Sequence, residues 1–121
     1  MVKALFDTNI LIDYLSGVEA ARTELALYDD SAISMITWME VMVGATPELE
    51  ASTRAFLLGF TTIAINAGVA EIAVQLRKTH RLRLPDAIIW ATAKTDGRLL
   101  VTRNVKDFPA SAPGVREPYR I

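Results

Sequence analysis

The sequence contains no cysteine, only one histidine and no apolar run of membrane-spanning length. The lack of cysteine excludes disulfides and thiolate metal ligands, although it does not indicate a compartment. His80 ends a basic helical segment, and we interpret it as a helix-end residue rather than a catalyst. Because Asp7 comes too early for a signal peptide, we expect a cytoplasmic protein that does not contact a membrane.

The chain as a whole also has no large excess of positive or negative charge, since its net charge is −1. By itself this balance argues against a nucleic-acid-binding protein. The charges are unevenly distributed, however, because residues 1–76 contain 3 Lys/Arg and 10 Asp/Glu, whereas residues 77–121 contain 10 and 4. Either the basic half forms a surface for polyanions, or the two halves interleave in the fold and their charges mix.

Apolar residues are plentiful, at 51% of the 121 residues, and the mean hydropathy is +0.26. A chain of this length is expected to form one domain, over residues 1–121, with its own hydrophobic core. Either that core is very apolar or another chain covers part of the surface. Trp38 and Trp90 each lie in an apolar helical run, and we interpret both as core residues.

Short apolar or β-branched segments alternate with helical patterns along the whole chain. Strands are predicted at residues 4–6, 32–34, 61–65 and 99–101, with a possible edge strand near Val115. Helical patterns fill the intervals, and Val69, Ile72, Ala73 and Leu76 share one helix face. The alternation predicts an α/β fold with a central, mostly parallel sheet of four to five strands and helices on both faces.

Four carboxylates lie near the predicted ends of strands or the beginnings of helices. Each has a purely local explanation. Asp7 suits a helix N-cap, and Glu40 completes a capping box that begins at Thr37. Asp86 lies in a first helical turn, where the helix dipole favours it, and Asp107 suits a turn.

Considered together, the four carboxylates favour a shared site. Asp7 follows the first strand, Glu40 lies one turn into the helix after the second, and Asp107 follows the fourth; Asp86 opens the helix before that strand. In a parallel sheet these positions meet at one rim. Burying carboxylates together is costly unless a cation compensates them, and an all-oxygen set selects Mg²⁺ or Mn²⁺ over zinc.

Four sequence blocks that carry these acids resemble the PIN domain. The residues of each block resemble those of the VapC toxins of VapBC toxin–antitoxin pairs. The resemblance extends from about Leu5 to Phe108. The blocks are Phe-Asp-Thr-Asn-Ile-Leu-Ile-Asp-Tyr-Leu (6–15), Thr-Trp-Met-Glu-Val-Met-Val-Gly (37–44), Leu-Pro-Asp-Ala-Ile-Ile-Trp-Ala-Thr-Ala (84–93) and Leu-Leu-Val-Thr-Arg-Asn-Val-Lys-Asp-Phe (99–108).

The resemblance implies a Mg²⁺-dependent endoribonuclease specific for single-stranded RNA, with 5′-phosphate and 3′-hydroxyl products. It also implies a homodimer and a cognate VapB-like antitoxin that blocks the site, with a larger toxin–antitoxin assembly on operator DNA as an extension. The family's acidic set falls on Asp7, Glu40, Asp86 and Asp107. Many relatives carry an acid where this chain has Asn104, so either Asp107 or Asn104 completes the set.

Polar and basic residues beside the acids are candidates for supporting roles. Asn9, Thr102 and Asn104 are placed to orient the carboxylates. Four basic residues either hold RNA phosphates or form ordinary solvated surface. These are Arg81, Arg83, Arg103 and Lys106.

Leu11, Ile12 and Leu15 either line a groove for an antitoxin helix or pack in the core. Three other functions fit the sequence less well. A haloacid-dehalogenase-type phosphatase needs a second Asp where this chain has Asn9. A catalytically silent PIN-like binding module is disfavoured by the complete acidic set, and a nuclease for structured DNA by the small size.

Overall fold

The computed structural model describes residues 2–109 and 111–121. Five strands and the helices between them follow the alternation that the sequence predicts. The strands are β1 (Lys3–Phe6), β2 (Asp30–Ser34), β3 (Thr61–Ile63), β4 (Leu99–Val101) and β5 (Val115–Arg116). The helices are α1 (Thr8–Leu15), α2 (Glu19–Leu25), α3 (Met35–Val43), α4 (Glu50–Leu57), α5 (Ala67–His80) and α6 (Leu84–Thr95). The edge strand expected near Val115 is present.

The strands form one sheet in the order β3-β2-β1-β4-β5, and every neighbouring pair is parallel. The expectation of a mostly parallel sheet is therefore confirmed, and the described sheet is parallel throughout. Because β1 is central, its carboxyl end lies between those of β2 and β4. The residues that follow these three strands consequently share one rim of the sheet.

Both faces of the sheet are covered by helices, as expected. On β1, Leu5 faces a cluster that contains residues of α5 and α6, such as Val69 and Trp90. Its neighbour Phe6 faces the opposite cluster, which contains residues of α1, α3 and α4. Burial on both faces explains why the strands are apolar runs instead of alternating patterns. The structure also confirms that Trp38 and Trp90 pack against these clusters.

Helix α3 begins three residues earlier than the capping box predicts. Ser34 is the N-cap, and its Oγ accepts a hydrogen bond from Ile36 N at 3.3 Å. Thr37 therefore lies inside the helix and is buried, so the proposed capping role of Glu40 is wrong. Helix α6 likewise begins at Leu84, which places Pro85 second and Asp86 third in its first turn.

The acidic and basic halves of the chain interleave. Arg98 Nη1 contacts Asp30 Oδ1 at 2.7 Å, and two more ion pairs join arginines of the second half to carboxylates of the first. The charge asymmetry of the sequence therefore contributes to ion pairs between the two halves, as the interleaved alternative predicts. No helix in the described residues is both long and apolar enough to span a bilayer.

Candidate active site

Asp7 links the end of β1 to the start of α1. Its backbone N donates to Val101 O at 2.9 Å, and its Oδ1 caps α1 by accepting from Thr8 N at 2.7 Å. Its Oδ2 accepts from Thr102 Oγ1 at 2.7 Å and from Asn9 Nδ2 at 3.2 Å. Asp7 is therefore a helix cap, but only one of its two oxygens serves that role. The other is held by residues that follow β4 and open α1.

Burial dominates the electrostatics of the Asp7 carboxylate. Burial raises the pKa of Asp7 to about 6. Hydrogen bonds from Thr102 and Thr8 oppose this rise, whereas the negative charges of Asp86 and Glu40 add to it. At neutral pH the ionised form of Asp7 is thus costly, and a bound cation would relieve that cost.

Glu40 and Asp86 face Asp7 from two different helices. Glu40 Oε1, on α3, accepts from Thr8 Oγ1 at 2.7 Å, and this hydroxyl lies 3.0 Å from Thr37 Oγ1. Asp86, on α6, is buried, and burial raises its pKa. The guanidinium of Arg83, 3.2 Å away, opposes that rise, while Asp107 and Glu40 reinforce it.

These side chains surround a cleft of about 300 Å³ at the carboxyl rim of the sheet. Asp107 does not line it; its Oδ2 accepts from Asn104 Nδ2 at 3.0 Å, so Asn104 stands between Asp107 and the cleft. Among the described residues, no three Asp, Glu, His or Cys side chains are gathered closely enough to hold an ion as they stand. The cleft is lined by Asp7, Thr8, Asn9, Ile12, Glu40, Arg83, Asp86, Arg103 and Asn104.

The donor set nevertheless fits a hard divalent cation. Asp7, Glu40 and Asp86 offer carboxylate oxygens, and Asn104 offers an amide oxygen, which are the ligand types that Mg²⁺ prefers. Burial, reinforced by the neighbouring negative charges, raises the pKa of Asp7 and of Asp86, which is the expected property of carboxylates whose charge a cation normally balances.

A larger depression, of about 950 Å³, lies at the other end of β2. Tyr14, Tyr28, Phe56 and Phe60 line much of it, together with Asp30 at the start of the strand. Its aromatic side chains pack against one another, with Tyr14 and Phe56 stacked at 4.8 Å. We place the chemistry in the smaller cleft, because that is where buried, mutually repelling carboxylates converge.

Comparison with known proteins identifies the family. Residues 4–110 match the family described as the PIN domain. The chain belongs to the PIN-domain family. It is 31% identical to ribonuclease VapC19 of Mycobacterium tuberculosis over 124 residues, which cover 95% of this chain and 98% of the relative. The VapC-type resemblance of the four blocks is thereby confirmed, and the phosphatase alternative is excluded.

Solved structures agree with this assignment. A chain of a toxin–antitoxin complex from Klebsiella pneumoniae is 52% identical, with a TM-score of 0.94 and coverage of 98% of this PIN domain and 100% of that chain. A chain of the DNA-bound VapBC complex from Salmonella typhimurium is 26% identical, with a TM-score of 0.79 and coverage of 96% of both. The fold of this PIN domain is therefore that of VapC-type proteins.

The four candidate RNA-binding residues of the PIN domain separate into two pairs. Arg83 and Arg103 line the cleft, but each is already paired with a carboxylate, Asp86 and Asp13 respectively. Arg81, the left-handed C-cap of α5 with φ 56°, and Lys106 are exposed and outside the cleft lining.

Three residues around the cleft were missed in the sequence. Thr8 lies between Asp7 and Asn9 in the first block, and its hydroxyl donates a hydrogen bond to Glu40. Asp13 pairs with Arg103 and accepts a hydrogen bond from the Tyr119 hydroxyl, and Asp13 lies one turn after Asn9 on the same side of α1. An acid on the apolar α1 was the available signal for Asp13, whereas nothing local distinguishes Tyr119.

Proposed function

We propose that this PIN domain is a Mg²⁺-dependent endoribonuclease that cleaves single-stranded regions of RNA and acts as the toxin of a toxin–antitoxin pair. The observation that carries the proposal is the cleft that brings Asp7, Glu40 and Asp86 together from β1, α3 and α6. The names of the relatives support it, because one is a ribonuclease and others are toxin–antitoxin complexes.

Asp7, Glu40 and Asp86 would hold the metal, with Mn²⁺ as a substitute for Mg²⁺. Asp107 would complete the set or position the attacking water through Asn104, to which it is bonded. The bound metal would lower the pKa of a water molecule and offset negative charge on the phosphate.

The remaining residues of the cleft have positioning and binding roles. Thr102 and Asn9 fix the Asp7 oxygen that is not used for capping, and Thr8 fixes Glu40. Arg83 is 76% exposed at its side chain, so it is placed to bind a phosphate of the RNA. Attack of water on phosphorus breaks the P–O3′ bond, which yields 5′-phosphate and 3′-hydroxyl ends.

An apolar groove beside the cleft supports the antitoxin part of the proposal. Leu11 is fully buried in the core, whereas Ile12 and Leu15 are 39% and 44% exposed. The exposed pair lines a groove of about 260 Å³ together with Leu49 of the segment before α4. Ile12 lines both the groove and the cleft, so an apolar helix of a VapB-like antitoxin seated here would reach the active site.

The homodimer and the larger assembly on operator DNA belong to the same proposal. Val43 and Leu58 are 87% and 85% exposed, which gives apolar surface outside the core for contact between copies. The Salmonella relative is described as a DNA-bound complex, which supports an assembly of that kind here.

The activity is tested by incubating the purified chain with single-stranded RNA, double-stranded RNA and single-stranded DNA. We expect cleavage of the first substrate with Mg²⁺ or Mn²⁺, none with EDTA, and at least a hundredfold lower rate for Asp7→Asn, on the order that removal of a metal ligand costs. Glu50→Gln is the control, because Glu50 is an exposed acid on α4. Absence of cleavage with either metal would favour the catalytically silent module.

The antitoxin is tested with the product of a small neighbouring reading frame that encodes a DNA-binding fold and an apolar, Arg-bearing tail. We expect it to inhibit the wild-type chain and to bind Leu15→Glu poorly. Because Leu15 lies outside the cleft lining, that variant should still cleave RNA. Equal inhibition of both proteins would remove the groove from the proposal.

A further inference from the structure

Asp13 is the buried centre of a triad beside the cleft. Its side chain is 8% exposed and accepts two hydrogen bonds from Arg103, from Nε at 2.6 Å and from Nη2 at 2.8 Å. Tyr119, close to the C-terminus, donates its hydroxyl to Asp13 Oδ2 at 2.7 Å. These contacts lower the pKa of Asp13, so it is ionised at neutral pH. Bidentate pairing of this kind fixes the orientation of a guanidinium as well as its position.

A second triad in the same molecule has the same construction. Glu24 is 5% exposed at its side chain and accepts from Arg116 Nε at 2.7 Å and Nη2 at 3.0 Å. Tyr28 donates its hydroxyl to Glu24 Oε2 at 2.8 Å. None of these three residues lines the cleft as the described residues form it. The two triads therefore offer the same chemistry in two places, only one of which borders the site.

The first triad is joined to the site through the backbone after β4. Arg103 lies between Thr102, whose hydroxyl holds Asp7, and Asn104, which lines the cleft. Its backbone N lies 3.4 Å from Asn9 Oδ1, and Asn104 N donates to Thr102 Oγ1 at 3.0 Å. No regular strand pairing holds residues 103 and 104, because β4 ends at Val101. The side chain of Arg103 is thus one anchor of this short segment, beside the backbone hydrogen bonds from Thr102 N to Arg116 O and from Phe108 N to Asn104 O, both at 3.0 Å.

We propose that Asp13 and Tyr119 are positioning residues that hold Arg103, and through it the 102–104 segment, in the arrangement that presents Thr102 to Asp7. The inference rests on the proposed function, since it assigns residues to the same site. Asp13 anchors the segment to α1, and Tyr119 anchors it to the C-terminal segment after β5. The C-terminal segment is consequently part of the support of the active site.

Amide hydrogen exchange tests the positioning role without any need for activity. Asp13→Asn keeps the shape of the side chain but removes the charge that pairs with Arg103. We expect the exchange rates of the Arg103 and Asn104 amides to increase. The increase should be at least tenfold larger than the increase that the loss of global stability alone would cause. The matched control is Glu24→Gln, which disrupts the second triad and should change exchange at these two amides only as far as global stability changes.

The kinetic test uses single-stranded RNA with Mg²⁺. We expect Asp13→Asn to lower kcat by about ten- to hundredfold with little change in KM, as loss of residues that orient metal ligands typically does. Glu24→Gln should keep kcat within about twofold of wild type, because no residue of its triad lines the cleft. Tyr119→Phe, with Tyr28→Phe as its control, removes only a hydroxyl and serves if Asp13→Asn does not fold.

The outcomes separate the two proposals. Absence of RNA cleavage by the wild type, with selective loss of protection at Arg103 and Asn104 in Asp13→Asn, would contradict the proposed function and support the positioning role. Equal effects of Asp13→Asn and Glu24→Gln on amide exchange and on kcat would contradict the positioning role. They would not affect the proposed nuclease activity.

Discussion

Asp7 shows that one carboxylate can satisfy a local rule and a functional one together. Its Oδ1 caps α1, as its position before a helical pattern suggested, while its Oδ2 is bound by Thr102 and Asn9 at the cleft. The alternatives of cap and site residue were therefore not exclusive. A sequence pattern suggests a single role for each residue, whereas the two oxygens of one carboxylate can bind different partners.

The raised pKa of Asp7 predicts a pH-dependent gain of stability when its charge is removed. The pKa is about 6 in the folded protein and about 3.8 in the unfolded chain, so the folded state binds the proton more tightly. The contribution of Asp7 to stability is fully present below about pH 3.8 and is lost as the pH rises through about 6. Asp7→Asn, measured in EDTA by urea unfolding, should therefore be more stable than wild type by about 1–3 kcal/mol at pH 7.

The same comparison at low pH provides the internal control. Well below pH 3.8 both side chains are uncharged in the folded and unfolded states, so the difference between Asp7→Asn and wild type should shrink to within experimental error. A variant that is less stable than wild type at pH 7 would show that the hydrogen bonds of Asp7 outweigh its desolvation.

At the scale of elements, the strands and the alternation of helices were predictable, because continuous apolar runs mark strands buried on both faces. The start of α3 was not. Ser34 ends β2 and caps α3 at once, without a loop between them, and the pattern of Thr37 and Glu40 suggested a later cap. The long-range partners of the arginines were equally invisible, since Arg98 and Asp30 lie 68 residues apart in the chain and Arg103 and Asp13 lie 90 apart.

Arg98 joins three elements at the amino-terminal end of the sheet. Nη1 donates to Ala4 O on β1 at 3.2 Å and to Asp30 on β2 at 2.7 Å, and Nε donates to Asp96, after α6, at 2.6 Å. The side chain of Arg98 is 6% exposed, whereas both carboxylates are about two-fifths exposed. Its loss therefore removes several charged hydrogen bonds but leaves partners that water can solvate.

We expect Arg98→Ala to lower the free energy of unfolding by about 2–4 kcal/mol, which combines lost charged hydrogen bonds with lost packing. Arg54→Ala is the control, because Arg54 forms an exposed pair with Glu50 on α4 and should cost only about 0.5 kcal/mol. Chemical denaturation of both variants measures the contrast. Similar losses would indicate that water replaces the contacts of Arg98.

At the scale of the whole molecule, the repelling carboxylates predict that divalent metal stabilises the fold. Mg²⁺ that binds the folded chain and not the unfolded one raises the free energy of unfolding by about 1.4 kcal/mol at ten times its dissociation constant. The urea midpoint should rise with Mg²⁺ at constant ionic strength, and the rise should disappear in Asp86→Asn. An equal rise with K⁺ at the same ionic strength would indicate screening instead of binding.

The residues that line the cleft were predictable from the sequence, whereas some residues that support it were not. Asp7, Glu40, Asp86 and Asn104 were identified from the sequence, and the structure places them around one cleft. Asp13 and Tyr119 were not, because their roles depend on where the C-terminal segment returns over α1. That return is a property of the closed fold and has no counterpart in any local pattern.

The parallel sheet has a consequence for the time at which the cleft comes into existence. Parallel neighbours require long crossovers, and β1 receives its second neighbour only with β4, at residues 99–101. The hydroxyl that binds Asp7 lies 95 residues further along the chain. A nascent chain still attached to the ribosome at two-thirds of its length therefore holds Asp7 and Glu40 but lacks the opposite wall of the cleft. Synthesis that stops early therefore leaves fragments without an assembled site.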